Sequence, residues 1–280
     1  MESIDALILG VVTDHLEKYY YNNFTLFSEG CKPCADRSVC SIDAEPPYYC
    51  YQHNEHILKS LVTAGIESSR VERRGALVVN QFDGEQNEVE LGDKMIPHSV
   101  VFVDGKYLVD VGFGGNSLRG PLPFTGMEGV VPFHGEQYKF KKCEGFRHYS
   151  LSHLAEWWGV MVLVGARWFE LWRFPVDILL DRAGLEQMNS DLFLGPHTVN
   201  VRDNYLLVGR VTPTKRVFAY CKKIEEKPLL KTITILPDGN TQQCTVTIDS
   251  PRYLEEILKK EFDFSLPPKN VQEVLYFGGE

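Results

Sequence analysis

The pattern of apolar and polar positions divides the chain into helical and strand-forming stretches. Apolar residues recur every three to four positions over residues 1–16, which predicts an amphipathic helix there. The same period follows Cys50 and stops near Gly65, which favours a second helix with Cys50 at its N-terminus. A further helix is predicted from Pro251, because Ser250 is a good N-cap and proline suits the first helical position.

Between these helices the apolar positions alternate with a period of two, which is the period of β-strands. The predicted strands cover 76–82, the hairpin 98–111, 138–142, 160–164, 168–174, 205–211, 217–220 and the hairpin 232–248. One more helix is predicted over 175–188. An α+β fold follows, with an N-terminal helical subdomain over 1–66, a central antiparallel β-barrel or sheet over 67–174 and a C-terminal α/β lid over 175–280.

Composition and charge narrow the class of protein. The chain has 280 residues, of which 44% are hydrophobic and 24% charged, as in ordinary soluble globular proteins. A net charge of −9 argues against nucleic acid or an anionic membrane as a partner. No apolar run approaches the roughly 20 residues of a membrane span, and the N-terminus lacks the basic start of a secretory signal. Seven cysteines, an odd number, favour a reducing compartment, so we expect a cytoplasmic protein.

The hairpin over 97–115 is the most informative segment. Two β-branched runs flank Asp104-Gly105, a strong turn signal. A three-residue loop over 103–105, with its glycine left-handed, would place His98 directly opposite Asp110 and on the same face. A strict two-residue turn would shift the pairing by one residue and send the two side chains to opposite faces. The sequence leaves both turn types open.

Cys50 is the candidate nucleophile, at the point where a proline-rich segment enters the second predicted helix. Helix N-terminal amides and a neighbouring imidazolium both favour the thiolate form of a cysteine. A lone cysteine is more often a small buried apolar residue. Together with His98 and Asp110, however, Cys50 completes a candidate catalytic group. In such a group the carboxylate orients the imidazole and the imidazole activates the thiol.

At these residues the chain resembles the arylamine N-acetyltransferases. That family carries its nucleophile in a segment of the form Arg-Gly-Gly-Trp-Cys-x-Gln/Glu-x-Asn, and Cys50-Tyr51-Gln52-His53-Asn54 matches the second half. The family's histidine opens a strand that runs into a segment ending in Y-L-V-D-V-G-F-G, which residues 104–114 match closely. Weaker similarities over 169–198 and 250–266 extend the resemblance to nearly the whole chain.

The resemblance implies a cysteine-protease-like fold with a Cys-His-Asp triad and an acetyltransferase that runs a ping-pong reaction. Cys50 would take an acetyl group from acetyl-CoA and pass it to an arylamine- or hydrazine-type acceptor. In the family context, the turn with Gly112 and Gly114 would let the acyl-thioester cofactor approach the backbone. The basic residues that would meet the cofactor phosphates are Lys215, Arg216, Lys222 and Lys223, although a solvated strand edge explains them equally well.

Two departures from the family's pattern would make this chain a divergent member of that family. Pro46-Pro47-Tyr48 stands where the family has Arg-Gly-Gly, and Asn22 stands where the family has a glutamate. Those family positions hold an arginine and a glutamate near the triad. Losing both leaves no unpaired buried charge, whereas losing one alone would cost several kcal/mol. The double replacement is therefore physically coherent.

Two other functions remain open from the sequence. The same triad would serve a cysteine hydrolase or an amide synthase acting on another thioester, and these differ in whether deacylation requires an amine. Cys31 and Cys34 have the spacing of zinc ligands, with Cys40 close behind, which would suit an inactive, zinc-stabilised binding module. The spacings to Cys40 and Cys50 match no common ligand pattern, so we expect no obligate metal site.

Overall fold

The computed structural model describes residues 3–22, 43, 49–79, 96–143, 156–164, 166–194, 205–212, 214–222, 229–235 and 241–263. The α-helices within these ranges are α1 (Ile4–Lys18), α2 (Cys50–Thr63), α3 (Arg182–Leu194) and α4 (Pro251–Phe262). The strands form two antiparallel sheets. The predicted α+β class, with helices and antiparallel strands, is confirmed.

The helix ends follow local capping chemistry. The Ser250 hydroxyl accepts a hydrogen bond from the Tyr253 N–H at 3.2 Å, so α4 begins as the sequence predicted. The prediction that a helix starts at Pro175 is wrong, because that proline ends a strand. The α3 helix starts seven positions later, where the Asp181 carboxylate accepts the Gly184 N–H at 2.7 Å and supplies the N-cap that Pro175 lacks.

The larger sheet lies in the middle of the chain. Its strands are β2 (Val71–Val78), β3 (Ile96–Val103), β4 (Tyr107–Val109), β5 (Leu122–Pro123), β6 (Gly129–Phe133), β7 (Glu136–Cys143), β8 (Trp157–Val164) and β9 (Arg167–Pro175). Their order is β5-β4-β3-β2-β9-β8-β7-β6. The first and last long strands, β2 and β9, therefore meet in the centre of the sheet and bring its two halves together.

Aromatic side chains fill the inner face of this sheet. The ring of Phe124 lies 5.9 Å from Phe102, 5.1 Å from Phe140, 5.3 Å from Trp158 and 5.5 Å from Phe174, each time edge-to-face. Such pairs contribute about 0.5–1.5 kcal/mol each beyond the burial of their area. These rings belong to one buried apolar cluster on the larger sheet.

The smaller sheet pairs a short strand from the N-terminal part of the chain with four strands from the C-terminal part. It contains β1 (Tyr21–Asn22), β10 (Tyr205–Val211), β11 (Lys215–Lys222), β12 (Leu229–Ile235) and β13 (Thr241–Thr247), in that order. The short β1 pairs with β10 and so ties the N-terminal segment to the C-terminal part. The apolar face of α4 covers the sheet with Leu254, Ile257, Leu258 and Phe262. The division into three subdomains at 66/67 and 174/175 stays a prediction.

Helices α1 and α2 pack through an apolar cluster and a row of three histidines. The apolar contacts come from Ile8, Val12, Ile57 and Leu61. Beside them, Nε2 of the buried His15 lies 2.9 Å from Nδ1 of His53, and its Nδ1 lies 3.1 Å from Nδ1 of His56. Burial, and then the charges that these two neighbours would carry, lower the pKa of His15 to about 2. His15 is therefore neutral in the folded protein.

The free energy of unfolding is expected to fall as the pH drops below about 6.5. The folded pKa of His15 lies well below its ordinary 6.5, so between the two values the unfolded chain binds a proton that the folded chain does not. The stabilisation is complete above pH 6.5 and is lost towards pH 2, by at most about 1.4 kcal/mol per pH unit. Urea unfolding should depend less steeply on pH in His15→Gln than in the wild type. Equal slopes would contradict the buried neutral state.

Candidate active site

The hairpin of β3 and β4 turns through Asp104-Gly105, as the sequence signal predicted. Both residues have positive φ angles, 55° for Asp104 and 62° for Gly105. The Lys106 N–H donates to the Val103 carbonyl at 3.0 Å and closes the turn. The Arg70 guanidinium donates two hydrogen bonds of 2.7 Å to the Asp104 carboxylate, which supports that residue in a conformation that non-glycine residues rarely adopt.

The register of this hairpin differs from the predicted one. Val103 pairs with Tyr107, so the three-residue loop spans 104–106 and starts one residue later than predicted. The reason is that the aspartate joins the glycine in the left-handed region, whereas the prediction placed only the glycine there. His98 is therefore not directly opposite Asp110. When the loop starts one residue later, the partner of each β3 residue moves by two positions along β4. A shift by two keeps the side chains of His98 and Asp110 on one face, where they are diagonal neighbours.

His98 and Asp110 meet in a buried hydrogen bond. Nε2 of His98 lies 2.8 Å from Oδ2 of Asp110, and the two side chains are only 2% and 1% exposed. The other carboxylate oxygen, Oδ1, accepts the Gly112 N–H at 3.0 Å and the Asn54 side-chain amide at 3.1 Å. With both oxygens engaged, the carboxylate has one orientation and fixes that of the imidazole.

Cys50 is the first residue of α2 and is buried beside His98. Cys50 is near enough to help raise the pKa of the imidazole, and since Asp110 occupies Nε2, Nδ1 is the ring nitrogen left for the sulfur. Burial alone would lower the pKa of His98, but the Asp110 carboxylate and then Cys50 together raise it to about 10. The imidazole thus holds a proton at neutral pH, next to a sulfur at a helix N-terminus, where negative charge is favoured.

The glycine turn lies against the nucleophile, whereas Lys215 does not. A Cβ at position 112 would come within 2.5 Å of the Cys50 carbonyl oxygen, so the close approach requires Gly112. Gly114 has a φ of 59° and faces the Tyr21 ring. Lys215 begins β11, where its ammonium lies 2.6 Å from the Glu261 carboxylate on α4. The structure brings the two glycines, but not this lysine, to the cluster around Cys50.

Sequence reasoning assigned no role to Asn54, although the residue lies in the matched motif. It follows Cys50 by four positions on α2, and residues at that spacing share a helix face. Its side chain donates to Asp110 and to the Ser99 carbonyl, and accepts the Val111 N–H at 3.2 Å. Asn54 therefore holds the nucleophile helix against both strands of the hairpin. The four-residue spacing was the signal that could have found it.

A buried ion network lies behind the glycine turn and was not predicted. Arg216 on β11 donates to the two carboxylate oxygens of Glu136 on β7, at 2.6 Å each. It also donates to the carbonyls of Gly115 and Ser117, at 2.8 and 2.7 Å. Arg119 adds a hydrogen bond of 3.0 Å to the same carboxylate. Burial would raise the pKa of Glu136, but the two guanidinium groups, Arg216 first, lower it to about 2.

The candidate zinc pair lies outside the described residues, as does Cys40. In the ranges that the structure describes, no group of three or more His, Cys, Asp or Glu side chains is placed to hold a metal ion. Nor does any helix of those ranges combine the length and the apolar character needed to cross a membrane.

Comparison with known proteins gives a family and a fold. The family model of the N-acetyltransferases matches residues 48–271, which include Cys50, His98 and Asp110. No curated protein sequence matches the chain. Among solved structures, the arylamine N-acetyltransferase of Mycobacterium smegmatis is 23% identical, with a TM-score of 0.66 over 97% of this chain and 92% of its own. That of Mycobacterium marinum, solved in complex with CoA, is 18% identical, with a TM-score of 0.67 over 99% of this chain and 96% of its own. The enzyme of Salmonella typhimurium is 14% identical, with a TM-score of 0.61 over 98% of each chain.

Proposed function

This chain belongs to the N-acetyltransferase family, and we propose that it moves an acetyl group from acetyl-CoA to an arylamine- or hydrazine-type acceptor through a thioester on Cys50. The observation that carries the proposal is the buried hydrogen bond between His98 and Asp110, next to a cysteine at a helix N-terminus that helps raise the pKa of the histidine. The fold shared with arylamine N-acetyltransferases, one of them solved with CoA, supports the acetyl donor and the acceptor class.

In the first half-reaction the Cys50 sulfur attacks the acetyl carbonyl of acetyl-CoA. A carbon–sulfur bond to Cys50 forms and the bond to the CoA sulfur breaks, while His98 gives its proton to the leaving thiolate. The raised pKa of His98, about 10, means that this proton is present at neutral pH before the reaction begins. The Cys50 N–H has no intrahelical partner at the start of α2 and is available to the oxyanion.

In the second half-reaction the acceptor nitrogen attacks the acetyl thioester. His98, now neutral, takes the proton that the nitrogen loses, and Cys50 leaves as a thiolate. The resting pair is restored, so each turnover needs no further proton from solvent. Asp110 stays hydrogen-bonded to Nε2 throughout and leaves Nδ1 free for both proton transfers.

Mass spectrometry after mixing with acetyl-CoA, without acceptor, tests this proposal. We expect a gain of about 42 Da, one acetyl group, that maps to the peptide containing Cys50 and disappears when an aromatic amine is added. The peptide with Cys143 is an internal control, because burial raises the pKa of that thiol to about 12 and leaves it unreactive. The absence of any adduct would contradict the proposal. An adduct lost equally fast without amine would favour the cysteine hydrolase.

A further inference from the structure

One buried hydrogen-bond donor lies beside the candidate active site without a partner. The indole of Trp172 on β9 is fully buried, and its Nε1 has no hydrogen-bond partner within the described part of the chain. The nearby Trp158 is equally buried, yet its Nε1 donates to the Glu156 carboxylate at 2.7 Å. Buried donors are almost always paired in folded proteins, so the open indole N–H of Trp172 requires an explanation.

The strand register places this indole on the same inner face as His98. Trp172 pairs with Val78 on β2, and His98 pairs with Ala76 two residues before it, so all four side chains point to one side of the sheet. The ring centroids of Trp172 and His98 lie 6.3 Å apart. Phe113 lies against the histidine as well, at 5.1 Å. A molecule whose nitrogen approaches His98 therefore has two aromatic side chains close by.

The surroundings of Trp172 restrict what its N–H would bind. Val160 faces it from β8 and the Phe174 ring lies 5.8 Å away, both apolar. The charge of the His98 imidazole is already paired with Asp110. Burial of a carboxylate here, without a cation of its own, would be costly, whereas a neutral oxygen would need only the one donor that the indole supplies.

We propose that Trp172 is a specificity-determining residue whose indole N–H donates a hydrogen bond to a neutral oxygen of the acyl acceptor. The inference rests on the proposed function, since it takes the acceptor to approach His98. It narrows the acceptor class to aromatic amines that carry an ether, hydroxyl or carbonyl oxygen on the ring. Trp172 does not take part in the proton transfers, so its loss is expected to change the choice of acceptor.

Two amines of the same shape test this role: 4-methoxyaniline, which has a ring oxygen, and 4-ethylaniline, which does not. In Trp172→Phe we expect the ratio of kcat/KM for the methoxy over the ethyl compound to fall about tenfold relative to the wild type. In Trp158→Phe, the matched control, the ratio should stay unchanged. An unchanged ratio in Trp172→Phe, or an equal loss with both amines, would overturn the assignment.

Two further measurements keep this inference separate from the proposed function. Acetylation of Cys50 by acetyl-CoA needs no acceptor, so its measurement in the wild type tests the proposed function without involving the role of Trp172. If the wild-type protein turns over neither amine, calorimetric titration with each compound decides, and equal affinities for the two would overturn the role of Trp172. If Trp172→Phe does not fold, the wild-type preference for the methoxy compound in the same titration decides in its place.

Discussion

Asp110→Asn is expected to lower the rate of acetyl transfer by about 10⁴-fold while leaving the fold intact. Oδ1 of Asp110 accepts hydrogen bonds from Gly112 and Asn54, so an asparagine must turn its oxygen to these two donors. Its amide group then faces Nε2 of His98. Because Nε2 must now accept, the imidazole carries its proton on Nδ1, the tautomer that is unable to take a proton from Cys50 or from an amine.

Alkylation of the protein by iodoacetamide reports the same change without any substrate. In the wild type we expect fast labelling of Cys50 at pH 7, because an imidazolium lies beside the sulfur. In Asp110→Asn, His98 loses the charge that does most to raise its pKa to about 10, so less of the imidazole is protonated at pH 7 and labelling of Cys50 should be slower. Asp14→Asn, which removes an exposed charge on α1 far along the chain from the hairpin, is the control and should behave as the wild type. Equal labelling rates at pH 7 in the wild type and in Asp110→Asn would rule out the proposed pairing.

Short-range patterns in the sequence predicted the helix and the hairpin on which the residues of the candidate active site lie. The helical period after Cys50 and the alternation around Asp104-Gly105 both lie within short stretches, and the structure has a helix and a hairpin there. The register of the hairpin was harder to predict, because it depends on the conformation of one residue, Asp104. That conformation is supported by Arg70, which lies outside the hairpin. The shared face of His98 and Asp110 survived this error because it depends only on whether the loop is odd or even.

Contacts between distant segments could not be predicted. The pairing of β2 with β9 sets the strand order, yet no local pattern distinguishes it from other pairings. Arg216 and Glu136 are 80 positions apart, and a charged residue on a strand predicts a solvated face rather than a buried partner. The sequence predicts Trp172 as a core residue, like the other tryptophans, any of which could line an aromatic acceptor pocket. It shows the apolar ring of Trp172 but not whether its N–H finds a partner.

Glu136→Gln is expected to cost about 3–5 kcal/mol of the free energy of unfolding, the largest loss of stability that we predict for a single neutralised charge. Glu136 is the carboxylate that Arg216 and Arg119 share, and all three side chains are at most 4% exposed. The glutamine keeps the shape of the side chain but removes its charge. The two guanidinium groups then stay buried without a carboxylate to balance their charge.

The loss should also reach the candidate active site, because Arg216 holds the carbonyls of Gly115 and Ser117 directly after the glycine turn. Urea unfolding at pH 7 measures the cost, and acetylation of Cys50 under native conditions measures the effect on the site. Glu256→Gln is the control, since that carboxylate is 61% exposed and its ion pair with Arg252 contributes less than about 1 kcal/mol. A cost for Glu136→Gln as small as that of the control would mean that water reaches the network. In that case the turn behind Cys50 would be held by its backbone hydrogen bonds and not by the buried ion pairs.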